Sequence, residues 1–216
     1  MTHAAPGPSG RAPERSERAA GVFICVVGPS GVGKDTLIAA TCERLSHDPR
    51  FAFPRRWITR PPGARERAEE LGRQELARRR AAGGCALHWE AHGIAYAIPG
   101  NVDREIAAGR TVVCNVSRGV VADALVRFPR VATVVVAASR TTLAARLAAR
   151  GREGAQDQQR RLSRRPRPLP PGMPTVTIDN TGALETATAA FIEALRGLAA
   201  GQVREREDTP ERDVAR

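Results

Sequence analysis

A glycine-rich loop that follows an apolar run constrains the fold of this chain more than any other segment. The apolar run occupies residues 22–27, and it is followed directly by Gly28-Pro29-Ser30-Gly31-Val32-Gly33-Lys34-Asp35-Thr36. Glycines at this spacing let the backbone turn tightly and bring its N–H groups close to an anion. A helix that begins at Lys34 directs the positive end of its dipole at the same point. The pattern predicts a strand, a phosphate-binding loop and a helix, in that order.

The cationic residue of this loop is a lysine in a chain that otherwise uses arginine. The sequence has 34 Lys and Arg residues, and Lys34 is the only lysine among them. Arginine is a planar fork, whereas lysine is a compact charge on a thin stem, so a loop wrapped around a phosphate chain accommodates lysine more readily. We therefore expect Lys34 to be a catalytic residue that contacts the β- and γ-phosphates of a nucleotide. The alternative is a glycine-rich strand–helix turn that binds no ligand.

The residue after the lysine departs from the usual pattern, in which a Ser or Thr hydroxyl binds magnesium. Here that residue is Asp35, with Thr36 next. A carboxylate is a hard oxygen ligand that suits Mg²⁺, so Asp35 is our candidate metal ligand, directly or through water. The alternative role is that of an acidic residue in the first turn of a helix, where the helix dipole favours it.

Apolar strand-like runs alternate with helical patterns along the rest of the chain. Near-continuous apolar runs are typical of parallel strands buried on both faces, and alternation with helices implies right-handed βαβ units. We therefore predict an α/β fold, a three-layer sandwich with a parallel five-stranded core. The predicted strands are 22–27, 55–59, 111–116, 131–138 and 175–179. The predicted helices are 34–46, 73–82, 100–109, 118–128, 140–150, 154–165 and 183–199.

Length and composition predict the domain organisation and the cellular compartment of the protein. The 216 residues suit one domain over residues 21–201, and the compositions of residues 1–20 and 202–216 predict disordered tails. No apolar stretch approaches the roughly 18 residues needed to cross a bilayer, and the N-terminus shows no signal-peptide pattern. The four cysteines have no CxxC spacing, which favours buried free thiols in a reducing cytoplasm.

The net charge of +11 permits nucleic-acid binding without establishing it. No aromatic residues are interleaved with the basic runs, which argues against a single-strand stacking platform. We therefore expect no nucleic-acid partner and no membrane partner. The positive charge would also suit the binding of a highly phosphorylated small substrate. No heptad or interface stripe stands out, so no oligomeric state is assigned.

An arginine-rich segment downstream is a candidate lid. Arg146 and Arg150 are four residues apart on one helix face, and Gly151 offers a hinge. The segment from Arg152 to Arg161 is then placed to swing over a bound triphosphate, where arginines stabilise charge on a transferring phosphoryl group and exclude water. The alternative is a solvated arginine-rich helix.

Two further sets of residues are candidates for binding an acceptor substrate. The first comprises Arg60, Glu66 and Tyr96, in which Arg60 is suited to bidentate phosphate recognition. For Tyr96, the only tyrosine, the alternative is a half-buried packing role, and His92 is more simply a loop residue than a catalyst. The second set lies at the carboxyl end of a predicted strand, where ligands bind in open α/β sheets. It comprises Asn115, Ser117 and Arg118.

Together these motifs resemble the guanylate kinase-like branch of P-loop kinases. Within that branch the chain resembles the ribose 1,5-bisphosphate phosphokinases over roughly residues 22–200. The segments that carry this resemblance are Gly33-Lys34-Asp35, Ile58-Thr59-Arg60, residues 87–93, Asn115-Val116-Ser117-Arg118, residues 150–153 and Ile178-Asp179-Asn180.

The resemblance implies ATP-dependent phosphorylation of ribose 1,5-bisphosphate to 5-phosphoribosyl 1-diphosphate and ADP, in phosphonate breakdown. It implies that residues 28–36 hold the phosphates of ATP together with Mg²⁺. It also implies a lid over about 150–165, with Arg150, Arg152 and Arg161 as catalytic residues. An insert over about 55–98 would bind the acceptor through Arg60, Glu66 and Tyr96.

Two other functions stay open at this point. The first is a guanylate-type nucleoside monophosphate kinase, but Ala95 stands where a guanylate kinase has the first of two tyrosines, and Ala97 replaces a glycine. The second is a nucleotide-gated binding module that uses the basic surface. A steep salt dependence of nucleic-acid binding would support the module.

Overall fold

The computed structural model of the protein describes residues 20–150 and 167–202. The predicted helix over 154–165 lies outside these residues, as do Arg152 and Arg161. The predicted tails lie almost entirely outside them as well. Across the described residues, no helix is both long enough and apolar enough to cross a membrane.

The central feature of the fold is a five-stranded sheet in which all neighbouring strands are parallel. Its strand order is β2-β7-β1-β8-β9, so β1 lies in the middle. The bounds of these strands are β1 Phe23–Val27, β2 Phe51–Ala52, β7 Thr111–Asn115, β8 Val131–Ala137 and β9 Thr175–Asp179.

Helices cover both faces of this sheet because its central strand is apolar on both sides. Ile24 and Val26 pack with residues of α1, α5 and α6, whereas Phe23, Cys25 and Val27 pack with residues of α3 and α4. The helices are α1 Lys34–Arg44, α3 Val102–Ala107, α4 Val121–Arg127, α5 Arg140–Arg150 and α6 Leu184–Ala199. A 3-10 turn, Arg118–Val120, precedes α4. The predicted three-layer α/β sandwich is confirmed.

A second, four-stranded sheet lies between β2 and α3 in the chain, with the order β4-β3-β6-β5. Its β5 and β6 form an antiparallel hairpin that turns at His92 and Gly93, both of which have positive φ angles. Leu76 of helix α2 packs with Ala97 on one face of this sheet. The bounds are β3 Arg56–Ile58, β4 Ala68–Glu70, α2 Arg73–Ala81, β5 Cys85–Ala91 and β6 Ile94–Pro99.

One predicted strand belongs to a different sheet from the one expected. The sequence predicts that the run 55–59 belongs to the parallel core, but Arg56–Ile58 within it form β3 of the second sheet. The core takes its fifth strand from Phe51–Ala52, which pairs with Thr111 and Val112. A two-residue strand is too short to produce a recognisable apolar pattern, so only its pairing with β7 identifies it.

The cysteines match their expected state in part. All four are free thiols, Cys25 and Cys114 are buried, and Cys42 and Cys85 are half-buried. Cys25 and Cys114 are register partners on β1 and β7. Burial raises the pKa of the Cys25 thiol to about 12 and raises that of Cys114 as well. Both thiols are therefore protonated at neutral pH and serve as packing groups.

Candidate active site

The glycine-rich loop connects the end of β1 to the start of α1 and curls back over the sheet. Gly28, Gly31 and Gly33 have φ angles of 151°, 84° and 94°, which side-chain-bearing residues rarely adopt. A Cβ atom on Gly28 would lie 2.3 Å from the carbonyl oxygen of Val136 on β8. The loop therefore requires glycine at this position for its close approach to the sheet.

Two side chains from distant parts of the chain form hydrogen bonds to the backbone of the loop. The buried Asn180, just after β9, donates from Nδ2 to the carbonyl oxygen of Val32 at 2.7 Å. Arg146 on α5 donates to the same oxygen at 3.2 Å. The backbone N–H of Asn180 donates to Ala137 at the end of β8, which fixes the asparagine itself. These contacts tie the loop to α5 and to the end of β9.

Lys34 is half-buried at the first position of α1, and its side chain lies along the loop. Its Nζ donates to the carbonyl oxygens of Gly28 at 2.7 Å and of Pro29 at 3.0 Å. The ammonium group is therefore held beside the loop N–H groups and the positive end of the α1 dipole. This arrangement gathers positive charge where a chain of phosphates would lie.

Asp35 follows at the second position of α1 and points toward the end of β7. Its Oδ1 accepts hydrogen bonds from Asn115 Nδ2 at 2.7 Å and from Arg56 at 3.3 Å. The side chain is 39% exposed. The described residues contain no group of three or more His, Cys, Asp or Glu side chains arranged around a metal. One carboxylate nonetheless fits Mg²⁺ that arrives with a nucleotide, because such ions use one or two protein carboxylates together with phosphate oxygens and water.

Arg60, Glu66 and Tyr96, which we call the acceptor cluster, come together near Arg56, whose guanidinium also contacts Asp35 at the start of α1. Arg60 donates to both carboxylate oxygens of Glu66, at 2.8 and 3.0 Å, in a bidentate pair. The backbone N–H of Gly63 donates to the same carboxylate at 2.9 Å, and Arg56 donates to its Oε1. Burial alone would raise the pKa of Glu66, but these hydrogen bonds and charges outweigh burial and hold its pKa below the ordinary value.

Tyr96 contributes an aromatic ring and a hydroxyl to the acceptor cluster. Its ring stacks on Trp89, with 5.3 Å between ring centroids, and the guanidinium of Arg56 lies 5.5 Å from the Tyr96 centroid. Burial alone would lower the pKa of Arg60, but the interactions with Glu66 and Tyr96 outweigh burial. The pKa of Arg60 is therefore above its ordinary value, and Arg60 stays charged. A guanidinium, a buried carboxylate that orients it and a phenol form a surface suited to an anionic substrate.

Asn115, Ser117 and Arg118, at the carboxyl end of β7, have contacts in different parts of the structure. Asn115 bonds to Asp35 and thereby links β7 to α1. Ser117 accepts from the backbone N–H of Gly119 at 3.3 Å and caps the 3-10 turn, and Arg118 donates to the carbonyl oxygen of Arg167 at 3.2 Å. These contacts give Ser117 a local structural role and direct Arg118 toward the chain that follows the predicted lid.

The predicted lid is described only at its base. Arg146 contacts the glycine-rich loop through Val32, as noted above. Arg150 is the last residue of α5, and its side chain lies outside the described part of the molecule, as do Arg152 and Arg161. The catalytic role of these three arginines stays a prediction.

Comparison with curated proteins supplies the family. The chain is 46% identical over 178 residues to ribose 1,5-bisphosphate phosphokinase PhnN of Methylobacterium radiotolerans, covering 82% of this chain and 98% of that protein. It is 42% identical over 181 residues to the protein of the same name from Brucella melitensis, of which it covers 94%.

The chain belongs to the ribose 1,5-bisphosphate phosphokinase family.

A longer protein also matches, the bifunctional ribose 1,5-bisphosphokinase-thymidine phosphorylase of Cupriavidus necator, at 44% identity over 180 residues. The chain spans 30% of that protein's length. Among solved structures, a guanylate kinase from Anaplasma phagocytophilum matches with a TM-score of 0.59 at 15% identity, over 87% of this chain and 90% of that one. This structural likeness shows the fold that the chain shares with a guanylate kinase. No protein-family model matches the chain.

Arg56 is a residue of this site that no motif in the sequence identifies. It is 8% exposed, and its guanidinium contacts Asp35, Glu66 and the carbonyl oxygen of Asn115. In sequence it is one of two adjacent arginines in a chain crowded with arginine, so its burial gave no local signal. Its place two residues before the buried Ile58 on a predicted strand was the available clue, since such residues share a face of the strand.

Proposed function

We propose that this kinase transfers the γ-phosphoryl group of ATP to ribose 1,5-bisphosphate, giving 5-phosphoribosyl 1-diphosphate and ADP. The observation that carries the proposal is that one side chain connects the start of α1, directly after the glycine-rich loop, to the acceptor cluster. Asp35 of helix α1 and Glu66 of the acceptor cluster bond to the same guanidinium, that of Arg56. A phosphate held at the acceptor cluster would thus lie beside a phosphate held at the loop. The names of the relatives supply the identity of the acceptor.

The chemistry of the acceptor cluster favours a phosphorylated sugar over a nucleobase. Its polar groups are the guanidinium of Arg60, the carboxylate of Glu66 and the phenol of Tyr96. The bidentate pair with Glu66 holds the Arg60 guanidinium in place, and a guanidinium is a group that suits phosphate. Ala95 and Ala97, at the positions where a guanylate kinase has a tyrosine and a glycine, bring no polar side chain. Ala97 is buried under α2, and Ala95 interacts with Thr59 through its backbone.

In the proposed reaction an oxygen of the acceptor's anomeric phosphate attacks the γ-phosphorus of ATP. One P–O bond forms at that oxygen, and the bond from the γ-phosphorus to the β–γ bridging oxygen breaks, so that ADP leaves. The acceptor phosphate is already anionic at pH 7, so the step needs no general base. The protein's contribution is to place two anions in line and to neutralise their charge.

Each group of this chain has a defined task in that step. The backbone N–H groups of residues 28–36, of which Pro29 has none, and the Nζ of Lys34 are proposed to hold the β- and γ-phosphates. Arg60, oriented by Glu66, anchors the acceptor. The lid arginines Arg150, Arg152 and Arg161 are proposed to close over the triphosphate and exclude water. Asp35 is proposed to hold Mg²⁺, which would neutralise charge on the phosphates of the nucleotide.

Phosphorus NMR tests the proposal directly. The purified protein is incubated with Mg²⁺-ATP and ribose 1,5-bisphosphate, and with Mg²⁺-ATP and GMP in a parallel tube. We expect a coupled pair of diphosphate signals on the ribose product and no transfer to GMP. Transfer to GMP alone would make the protein a nucleotide kinase, in keeping with its guanylate kinase fold. Binding of ATP without transfer in either tube would contradict the kinase reaction with both acceptors.

A further inference from the structure

Arg56 is a buried charged residue that joins three separate parts of the chain. From β3 its guanidinium reaches Asp35 at the start of α1, the carbonyl oxygen of Asn115 at the end of β7, and Glu66 in the loop before β4. An arginine is rarely buried unless its charge is paired and its N–H groups are bonded, because desolvation of the charge is costly. The preceding residue, Arg55, is exposed and donates to the carbonyl oxygen of Ala68. The two neighbours therefore differ in environment and not in chemistry.

The two carboxylates that share Arg56 differ in how firmly they are held. Glu66 is 6% exposed and keeps Arg60 and the N–H of Gly63 as further partners. Asp35 is 39% exposed and interacts with Arg56 at the longer distance of 3.3 Å. A change at Asp35 therefore alters how much of the positive charge of Arg56 is compensated by a neighbouring carboxylate, while Glu66 stays in place.

We propose that Arg56 is a positioning residue that couples the acceptor cluster to the nucleotide site. It orients Arg60 through Glu66, and its interaction with Asp35 makes it depend on the charge at the start of α1. When Asp35 is neutralised, whether by a bound cation or by substitution, Arg56 is left with one carboxylate partner. It then attracts an anionic acceptor more strongly. This inference rests on the proposed function, since it takes the acceptor cluster as the place where the sugar phosphate binds.

A double-mutant cycle on substrate binding tests this coupling without relying on catalysis. Binding of ribose 1,5-bisphosphate to nucleotide-free protein is measured by isothermal titration calorimetry for wild type, D35N, R56K and D35N/R56K. Lysine keeps the charge of Arg56 but lacks the planar fork that reaches three partners at once. We expect R56K to weaken acceptor binding roughly ten- to hundredfold, as loss of charged hydrogen bonds does. We expect D35N to tighten acceptor binding about fivefold in wild type, at the low end of typical coupling, and to have little effect in R56K.

A simple Coulomb effect of Asp35 on the acceptor gives a different result. In that case D35N would tighten binding by the same factor in the wild-type and R56K backgrounds, and such an additive cycle overturns the proposal. The matched control is R55K, which changes the exposed neighbour and should leave both acceptor affinity and the effect of D35N unchanged. If R56K does not fold, Arg56→Gln replaces it in the cycle, because Glu66 then still keeps Arg60 and Gly63 as partners.

The wild-type result separates this inference from the proposed function. A wild-type protein that neither binds nor phosphorylates ribose 1,5-bisphosphate overturns the proposed function and the coupling together. A wild-type protein that binds and phosphorylates it, but shows an additive cycle, overturns the coupling alone. Equilibrium binding of Mn²⁺-ADP provides a second readout. Arg56→Gln should bind Mn²⁺-ADP more tightly than R55K, because Asp35 then loses its competing cation, and equal affinities would contradict the coupling.

Discussion

Replacing Gly33 with alanine tests whether Asn180 holds the glycine-rich loop in its binding conformation. The φ angle of Gly33 is 94°, where a side chain strains the backbone by about 1–2 kcal/mol. A Cβ atom there would lie 2.6 Å from Asn180 Nδ2, which donates to the carbonyl oxygen of Val32 at 2.7 Å. Since Asn180 is buried, its amide can make room only by giving up that hydrogen bond.

The size of the effect is the sum of these two contributions. Leaving a buried amide without its hydrogen-bond partner costs about 1–3 kcal/mol. Together with the backbone strain, G33A should lower the free energy of unfolding by about 2–5 kcal/mol. The matched control is G83A, because Gly83 has a φ angle of 72° and no atom within 4 Å of the added Cβ. G83A should therefore show the strain alone, about 1–2 kcal/mol.

Urea unfolding of wild type, G33A, G83A, N180A and G33A/N180A measures these differences. We expect the double variant to be less destabilised than the sum of its two single variants, because Asn180 is both the clashing group and the bonded one. Additive single effects would refute the reasoning, and so would equal losses for G33A and G83A. G33A should also bind ATP analogues more weakly, since the loop must shift to accommodate the methyl group.

The remaining predictions concern one residue each. Lys34→Met should fold normally and lose most of its turnover in the phosphorus NMR assay, so near-normal turnover would remove Lys34 from the mechanism. Asp35→Ala should need more magnesium for half-maximal activity, and an unchanged magnesium dependence would return Asp35 to a helix-terminus role. Glu66→Gln should be less stable than wild type at pH 7. Because the folded protein lowers the pKa of Glu66, its carboxylate contributes fully above the ordinary value of 4.5, and this contribution is lost as the pH falls through the lower folded value. The stability difference in urea unfolding should therefore shrink below about pH 4.5, and a constant difference would contradict the assigned ion pairs.

The core of the fold could be predicted because its signals are local. The apolar runs predicted as strands at 22–27, 111–116, 131–138 and 175–179 correspond to four of the five parallel strands. Such runs mark strands buried on both faces, and this property is visible in a few consecutive residues. The second sheet was largely missed for the opposite reason. Two of the three residues of β4 are exposed glutamates, and β5 is half-buried with His88 and Glu90 between its apolar residues. Neither has the continuous apolar run of a core strand, and pairing with β3 and β6 establishes them as strands.

The residues of the candidate site also differ in whether the sequence alone identifies them. The sequence alone determined the glycine-rich loop, its single lysine and the unusual Asp35, because glycine spacing and a helix start are short-range features. Tertiary structure alone decided which arginine lies between Asp35 and Glu66. Arg56 meets Glu66 across 10 residues of sequence and Asn115 across 59. In a chain with so many arginines, burial and pairing depend on which distant groups the fold brings within hydrogen-bond reach.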